Sequence, residues 1–399
     1  MTQRQDRRTA IVAGGSVAGL FAGSILRRDG WSVEVCERAG GSLESRGAGI
    51  AMHDELFDAL RQAGARVDSM IGIQVEGRAA YDRSGTEIAR FDYPQYLTSW
   101  GLLYRRLRSA LPDELYHLNR TVVDVTDTEE QVLVKFSDGT SRGVDLLIGA
   151  DGSWSTVRAL RDRTQAPIYS GYVAWRGLLD ETQLPGAFRE RYGGLLSFFV
   201  REDQQLVCYP VAGADDSVEP GRRRFSFLWY RPCDQDELAS LLTDVDGTRH
   251  EHQIPPGRVD PKHIARMRSE AQQYLPPDFA DFVVRTPNPF LQPIRDLSPT
   301  RIVFRRTALI GDAASVVRPH VGAGVAKAAT DATTLASALR ASPTVAEALQ
   351  RYESLRLPFG RAMVERARHL GGYLEAPPGR PRAPVLPIEE IVRETARLP

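Results

Sequence analysis

The stretch Ala10-Ile11-Val12-Ala13-Gly14-Gly15-Ser16-Val17-Ala18-Gly19, continued to Ser32-Val33-Glu34-Val35-Cys36-Glu37, decides the architecture of this chain. Ala10 to Ala13 reads as a short buried strand, Ala18 to Asp29 as a helix and Ser32 to Cys36 as a second strand, which together make a βαβ unit. Between strand and helix the spacing is G-x-S-x-x-G. Gly14 at the tight turn and Gly19 at the helix-packing position leave backbone N–H groups aimed at a pyrophosphate, and the helix dipole favours its charge. Ser16 stands where the usual fingerprint has its middle glycine, and its hydroxyl is a donor to phosphate. Glu37 ends the second strand 23 positions after Gly14, where a carboxylate accepts from a ribose hydroxyl. Taken alone, the stretch also reads as a glycine-rich turn of an ordinary α/β protein.

Two later stretches repeat the logic of a strand that delivers a carboxylate to a sheet edge. Asp145-Leu-Leu-Ile-Gly149-Ala150 leads into Asp151-Gly152-Ser153, with Ser155 and Arg158 behind it. By itself this is equally a strand-end Asx turn. Ala308-Leu-Ile-Gly311-Asp312 is followed by Arg318-Pro319-His320 and Gly322-Ala323-Gly324. Asp312 is placed to hold a polyol, and the glycines open a helix whose free N–H groups suit the pyrimidine edge of a flavin. A helix N-terminus stabilises negative charge there by about 0.3–2 kcal/mol.

Composition narrows the partners. The chain has 399 residues, 42% of them apolar, which suits two domains or two with a helical appendix. Its 51 basic residues balance 51 acidic ones, so bulk charge gives no reason to expect nucleic acid or an acidic surface as partner. Cys36, Cys208 and Cys233 are too few and too scattered for a disulfide framework or a metal site, and a cytoplasmic location is expected. Arg7-Arg8 before the apolar run Ala10 to Leu26 imitates a secretory signal, but the glycines inside the run argue against a membrane helix. His250, Glu251 and His252 are adjacent and point apart in regular structure, so no metal is assigned.

The remaining pattern is α/β. Asp54 to Gly64 is an amphipathic helix; Val122 to Val125, Val132 to Phe136 and Val144 to Ile148 form a meander around the turn Ser137-Asp138-Gly139. From Tyr172 to Tyr230, short runs that mix aromatic and polar residues predict an antiparallel sheet with one face lining something large. Thr307 to Ile310 is a buried strand and Gly324 to Arg340 a helix. Helix continues after Ser342 to about His369, and the Pro-rich stretch Ala376 to Pro387 reads as irregular.

The three motifs, in this order, resemble the FAD-dependent aromatic hydroxylases of the p-hydroxybenzoate hydroxylase type, over about Thr9 to Arg340. Within that family, Gly171-Tyr172-Val173-Ala174-Trp175-Arg176-Gly177 and Arg318-Pro319-His320 with Ala326-Lys327-Ala328 are most similar to the branch that hydroxylates 2,6-dihydroxypyridine. The resemblance implies a Rossmann-like FAD-binding domain made of residues 1–72, 98–165 and 285–340, an antiparallel-sheet substrate domain of 73–97 and 166–284, and a C-terminal helical segment and tail over 341–399. It also implies that Gly14, Ser16, Val17, Ala18 and Gly19 flank the FAD pyrophosphate and that Glu37 and Arg38 meet the adenosine. Asp151 and Gly152 serve FAD and nicotinamide, Asp312 holds the ribitol, and Gly49, Pro319, Gly322, Ala323 and Gly324 meet the isoalloxazine. The sequence departs in two places: Tyr104 stands where many relatives have Arg, so the phosphate contact passes to Arg105 or is lost, and Lys327 stands where many have Asn.

The implied reaction is monooxygenation of an electron-rich aromatic or N-heteroaromatic ring with O2 and NADH or NADPH, through a flavin hydroperoxide. The ring reacts best as its oxyanion, so a proton acceptor is needed for a hydroxyl of pKa up to about 10. His320, beside the flavin loop, and His53, after the turn Gly47-Ala48-Gly49-Ile50, are the acid–base candidates, with Tyr172 as a third. Each also reads as a loop-capping or core residue. Trp175, Arg176, Tyr209 and Trp229 are pocket candidates, with core packing as the alternative. A flavoprotein without oxygen insertion, a nicotinamide-binding dehydrogenase and a non-catalytic interaction protein are the competing readings. A homodimer through the C-terminal helices is a further expectation.

Overall fold

The computed structural model describes residues 7–41, 43, 49–255, 257–375 and 382–397. In chain order the elements begin with β1 (Thr9–Ala13), α1 (Val17–Arg28), β2 (Ser32–Cys36), β3 (Gly49–Ala51), α2 (Asp54–Ala63), β4 (Ile73–Tyr81), β5 (Glu87–Ser99) and α3 (Trp100–Arg108). There follow β6 (Tyr116–His117), β7 (Val122–Asp127), β8 (Val132–Phe136), β9 (Ser141–Val144), β10 (Leu146–Gly149), α4 (Thr156–Arg161), β11 (Ile168–Asp180) and α5 (Gly186–Tyr192). The rest are β12 (Leu195–Arg201), β13 (Gln204–Val211), β14 (Arg224–Pro232), α6 (Gln235–Leu241), α7 (Pro261–Tyr274), α8 (Pro277–Arg285), β15 (Phe290–Asp296), β16 (Val303–Phe304), β17 (Thr307–Leu309), α9 (Gly324–Ala341), α10 (Val345–Gly371) and α11 (Ile388–Glu394).

Three sheets organise them. The first has the order β16-β17-β10-β1-β2-β6, with β17, β10, β1, β2 and β6 parallel. β10 and β17 are buried along their whole length and β1 beyond its first residue, as expected of parallel strands covered on both faces. Residues of α1, α2, α9 and α10 pack with these strands in one apolar cluster. The predicted single strand Val144 to Ile148 is instead two. β9 closes the three-stranded meander β7-β8-β9, and β10 enters the parallel sheet. Asp145 makes the corner between them, its carboxylate accepting from the Thr9 N–H (2.8 Å) and hydroxyl (2.9 Å).

The third sheet has the order β15-β11-β14-β13-β12-β4-β5-β3 and is antiparallel except where β12 runs parallel to β4. Gly49–Ala51 and Phe290–Asp296 hydrogen-bond into this sheet, although both fall inside the ranges read from sequence as nucleotide-binding. Side chains alternate between its faces with the period of two that strands impose. Val173, Trp175, Phe225, Phe227, Trp229 and Cys208 point to an outer face covered by residues of α5 to α8. Tyr172, Ala174, Tyr209, Leu228 and Tyr230 point to the inner face, together with Tyr373, Leu374, Ile391, Val392 and Ala396. Residues 382–387 carry no regular structure, and α11 after them was not expected from sequence; residues 376–381 of the Pro-rich stretch lie outside the described residues. Among the described residues no helix is long and apolar enough to cross a membrane.

Candidate active site

The three motifs meet at the carboxyl ends of adjacent strands. Gly14 sits at φ +110°, and a Cβ there would lie 2.3 Å from the Ala150 carbonyl oxygen, so β1 turns directly against the end of β10 and only glycine fits. A Cβ placed on Gly311 would lie 2.9 Å from the Ala18 Cβ, which brings the third motif onto the first helix. Arg158, buried, joins the second and third motifs: its Nη1 donates to the Asp312 carbonyl at 3.3 Å and to the Ala313 carbonyl at 2.9 Å, and its Nε to Gln165 O at 3.1 Å. Sequence reading quoted Arg158 without a role.

Each motif presents a distinct chemistry. Neither α1, capped by Ser16, nor α9, capped by Ala323, has a side-chain hydrogen bond at its N-cap, whereas α3, α4, α6, α7 and α10 do. Among the described residues, two long helices thus begin without a side-chain cap on their first N–H groups and positive dipole ends, as do the helices begun by His53, Pro185, Pro276 and Pro387. Glu37 is buried; its Oε2 accepts from Gly15 N at 2.8 Å and its Oε1 from Ala39 N at 2.9 Å, which fixes the carboxylate beside the turn with lone pairs to spare. Arg38 is exposed. Tyr116, missed in the sequence, backs the turn by donating to Gly15 O at 2.9 Å, and its hydroxyl lies 3.2 Å from that of Tyr104. Tyr104, at the position where relatives carry Arg, stacks on Trp100 at 5.0 Å. Arg105 forms a two-pronged ion pair with Asp216, its Nε donating at 2.9 Å.

Asp151 accepts from the Ser155 hydroxyl at 2.5 Å and Val157 N at 3.1 Å, so its carboxylate organises the start of α4, and burial pushes its pKa up. Asp312 behaves differently. Asp312 is exposed, and its side chain has no hydrogen-bond partner among the described residues. Burial raises its pKa, while the cations of Lys327 and Arg158 pull it back down. Lys327 itself is turned into the core. Its ammonium, 1% exposed, donates to Gly311 O at 2.7 Å and Asp331 at 3.2 Å; Asp331 also accepts from Gly311 N at 2.9 Å and Arg356 Nε at 2.7 Å. This buried cluster clamps the Gly311–Asp312 turn from behind.

The loop Arg318 to Gly324 is fixed by ion pairs from Arg318 to Asp296 (2.6 Å) and Glu375 (2.5 Å). Gly322 turns it at φ +56°. His53 is buried, with Nε2 3.5 Å from Gly322 O; burial lowers its pKa and the carbonyl opposes that. Gly49 O accepts from the Tyr209 hydroxyl at 3.2 Å, while Gly47 and Ala48 of the same predicted turn lie outside the described residues.

The inner sheet face stands over this loop. Arg176 Nη1 donates to Gln292 at 2.7 Å while its Nε is buried with no hydrogen-bond partner among the described residues, and Tyr209 and Tyr230 share the face. Two expectations change here. Trp175 and Trp229 are one residue out of phase with Arg176 and Tyr230, so they fall in the helix-covered core, where Trp229 Nε1 donates to Gln204 at 3.0 Å. His320 is 2% exposed and enclosed: its Nε2 lies 2.9 Å from the Tyr172 hydroxyl, its ring stacks on Tyr230 at 4.3 Å, and a Cβ on Gly371 would come within 2.6 Å of it. Burial, with Arg318 adding to it, lowers its pKa to about 3, so it is a neutral partner of Tyr172 in the core. His250 bonds Asp244 at 2.9 Å and His252 stacks on Trp154 at 3.4 Å, so the two part company.

Against known proteins, a family model described as FAD binding domain-like matches residues 169–296. The 2,6-dihydroxypyridine 3-monooxygenase of Paenarthrobacter nicotinovorans is 31% identical over 366 residues, 91% of this chain and 91% of that protein. The chain belongs to the FAD-dependent aromatic hydroxylases. The 3-amino-4-hydroxybenzoate 2-monooxygenase of Streptomyces cremeus is 32% identical over 397 residues, 94% of this hydroxylase and 89% of that one. The solved structure of 2,6-dihydroxypyridine-3-hydroxylase from Arthrobacter nicotinovorans superposes with a TM-score of 0.87 at 30% identity, covering 95% of this chain and 98% of that one. Klebsiella pneumoniae HpxO, solved with FAD and uric acid, gives 0.73 at 25% identity over 92% and 88%. This hydroxylase is therefore an FAD-dependent monooxygenase that oxidises an aromatic ring with a reduced nicotinamide nucleotide.

Proposed function

We propose that the substrate is a small hydroxylated N-heteroaromatic or phenolic ring of the hydroxypyridine type, held between the inner sheet face and the Gly322 turn. The observation that carries this is the convergence of the three motif turns at one sheet edge, opposite a face bearing Tyr209, Tyr230 and the half-buried cation Arg176. The protein groups suit FAD: Gly14 to Gly19 with uncapped α1 for the pyrophosphate, Glu37 and Arg38 for the adenosine, and the unpartnered Asp312 for the ribitol. Gly49, Pro319 and Gly322 to Gly324 with uncapped α9 suit the isoalloxazine, Asp151 and Gly152 follow the end of β10, and Arg105 is the candidate for the phosphate contact that Tyr104 does not supply. When bound, FAD supplies the oxygen activation.

The chain's own residues do the rest. Arg176 is a cation beside which a ring hydroxyl ionises more readily, since an opposite charge within about 4–6 Å favours the anion. His53, its pKa lowered by burial and its Nε2–H turned to the Gly322 carbonyl, offers the lone pair of Nδ1 as acceptor for the hydroxyl proton. The tyrosines of the inner face exclude water. The reading includes a cytoplasmic homodimer through the C-terminal helices, where Leu355 of α10 is 54% exposed. The test is a screen of hydroxypyridines, hydroxybenzoates and related phenols, with NADH and NADPH in parallel, for stimulated nicotinamide oxidation and one added oxygen in the product mass. A ring oxidised without gain of oxygen would overturn it; light scattering reports the dimer.

A further inference from the structure

β4 carries a cation that none of this chemistry uses. Arg78 is 1% exposed, and no carboxylate is bonded to it among the described residues. Its Nη1 donates to the carbonyls of Val392 (2.9 Å), Arg393 (3.1 Å) and Thr395, and its Nη2 to Gln95 Oε1 (3.1 Å) and the Ala396 carbonyl (3.2 Å). An uncompensated buried guanidinium is costly. Here the compensation comes from the carbonyl-rich end of α11, where the helix dipole is negative. The Tyr93 ring covers the guanidinium at 4.0 Å.

The segment held this way reaches the flavin loop. Ala396 adopts φ +52°, and a Cβ on Gly322 would lie 2.6 Å from the Ala396 Cβ, so the two backbones touch. Gln95, bonded to Arg78, donates its amide to Ala396 O (3.1 Å) and Met52 O (3.2 Å). The residue after Met52 is His53, whose Nε2 faces Gly322 O. Ile391, Val392 and Ala396 join Tyr172, Tyr209 and Tyr230 in the inner-face cluster. One cation on β4 therefore ties together the α11 segment, the strand bearing Gln95, the start of α2 and the loop at Gly322.

We propose that Ile388 to Ala396 is a strap that walls the ring-binding space beside Gly322, and that Arg78 is the positioning residue that keeps it seated so that water stays out. This rests on the reading above that Gly322 to Gly324 face the FAD ring. The experiment compares FAD-loaded wild type, Arg78→Met and Arg78→Lys by hydrogen exchange, with 2,6-dihydroxypyridine as probe substrate for the peroxide yield. In Arg78→Met, amides of 391–396 exchange at least about ten-fold faster, as loss of a charged hydrogen bond predicts. Exchange also rises at 322–324 but not in β1 and β2, and the share of nicotinamide oxidation ending as hydrogen peroxide grows several-fold; Arg78→Lys recovers part of both. Unchanged exchange at 391–396, or faster exchange there with 322–324 and the peroxide share unmoved, overturns the strap. Should Arg78→Met fail to fold, tryptic cutting after Arg393 in wild type decides: several-fold slower cutting with FAD supports the strap, and equal rates overturn it. If FAD protects neither 14–19 nor 312–324 in wild type, it is the cofactor reading that fails instead.

Discussion

Asp331 is the place where one atom change should have the largest effect on the cofactor edge. Its carboxylate is shared by Lys327, Arg356 and Gly311 N, and both the acid and the ammonium are buried. Asp331→Asn keeps the shape and an acceptor for Gly311 N but strands two buried cations. Breaking a buried pair by removing one partner costs roughly 3–5 kcal/mol, because the remaining charge is left uncompensated. Lys327→Met removes a charge and one acceptor's partner at Gly311 O, for about 1–3 kcal/mol. The double variant Asp331→Asn/Lys327→Met should then lose less than the sum of the two, since the second change removes one of the stranded cations. Urea unfolding of the FAD-loaded and FAD-stripped protein measures all three. The turn carrying Asp312 is the one clamped, so FAD affinity should fall in parallel. A loss of under about 1 kcal/mol for Asp331→Asn, or strict additivity in the double variant, would refute the clamp.

Three further outcomes are expected. His320 has a pKa lowered from 6.5 to about 3 by burial; between those values the unfolded chain binds the extra proton, so stability is full above pH 6.5 and falls as pH drops towards 3. His320→Gln should flatten the slope of unfolding midpoint against pH between 6.5 and 4.5, and an unchanged slope would reject the assignment. Arg176→Met should raise KM for a hydroxylated ring by about ten- to a hundred-fold, the loss of one charged contact of 1.5–3 kcal/mol, with FAD binding retained; steady-state kinetics and flavin titration separate the two. Trp229→Leu should destabilise the protein by about 3 kcal/mol in urea while leaving KM within two-fold, because the ring belongs to the outer core; a selective KM effect would return it to the pocket.

What could be read from sequence was local. The βαβ opening, the helix after Gly324 and the three glycine-bearing turns rest on spacings of a few residues, and the structure places them as read. The sequence could not choose the face of a strand. Trp175 and Arg176 are neighbours and differ only in parity, and nothing in their order says which side meets the nucleotide half. The run Val144 to Ile148 is uniformly apolar apart from Asp145, and only that carboxylate's bond to Thr9 reveals the corner. α11 has seven residues after a Pro-rich stretch, and carbonyls at its end are bonded by Arg78, far away in sequence. His320 reads as an acid–base candidate beside the flavin loop until Tyr172, Tyr230 and Gly371 are seen around it.

The central parallel sheet joins β1, near residue 10, to β10 near 147 and β17 near 308. During synthesis the first strand must wait through some 300 residues of translation before the edge that would grip a dinucleotide is complete, about fifteen seconds or more at ordinary ribosome speeds. Contacts so distant in sequence fold slowly. A cofactor that binds only the finished edge therefore adds stability only to chains in which β17 has already joined β10 and β1.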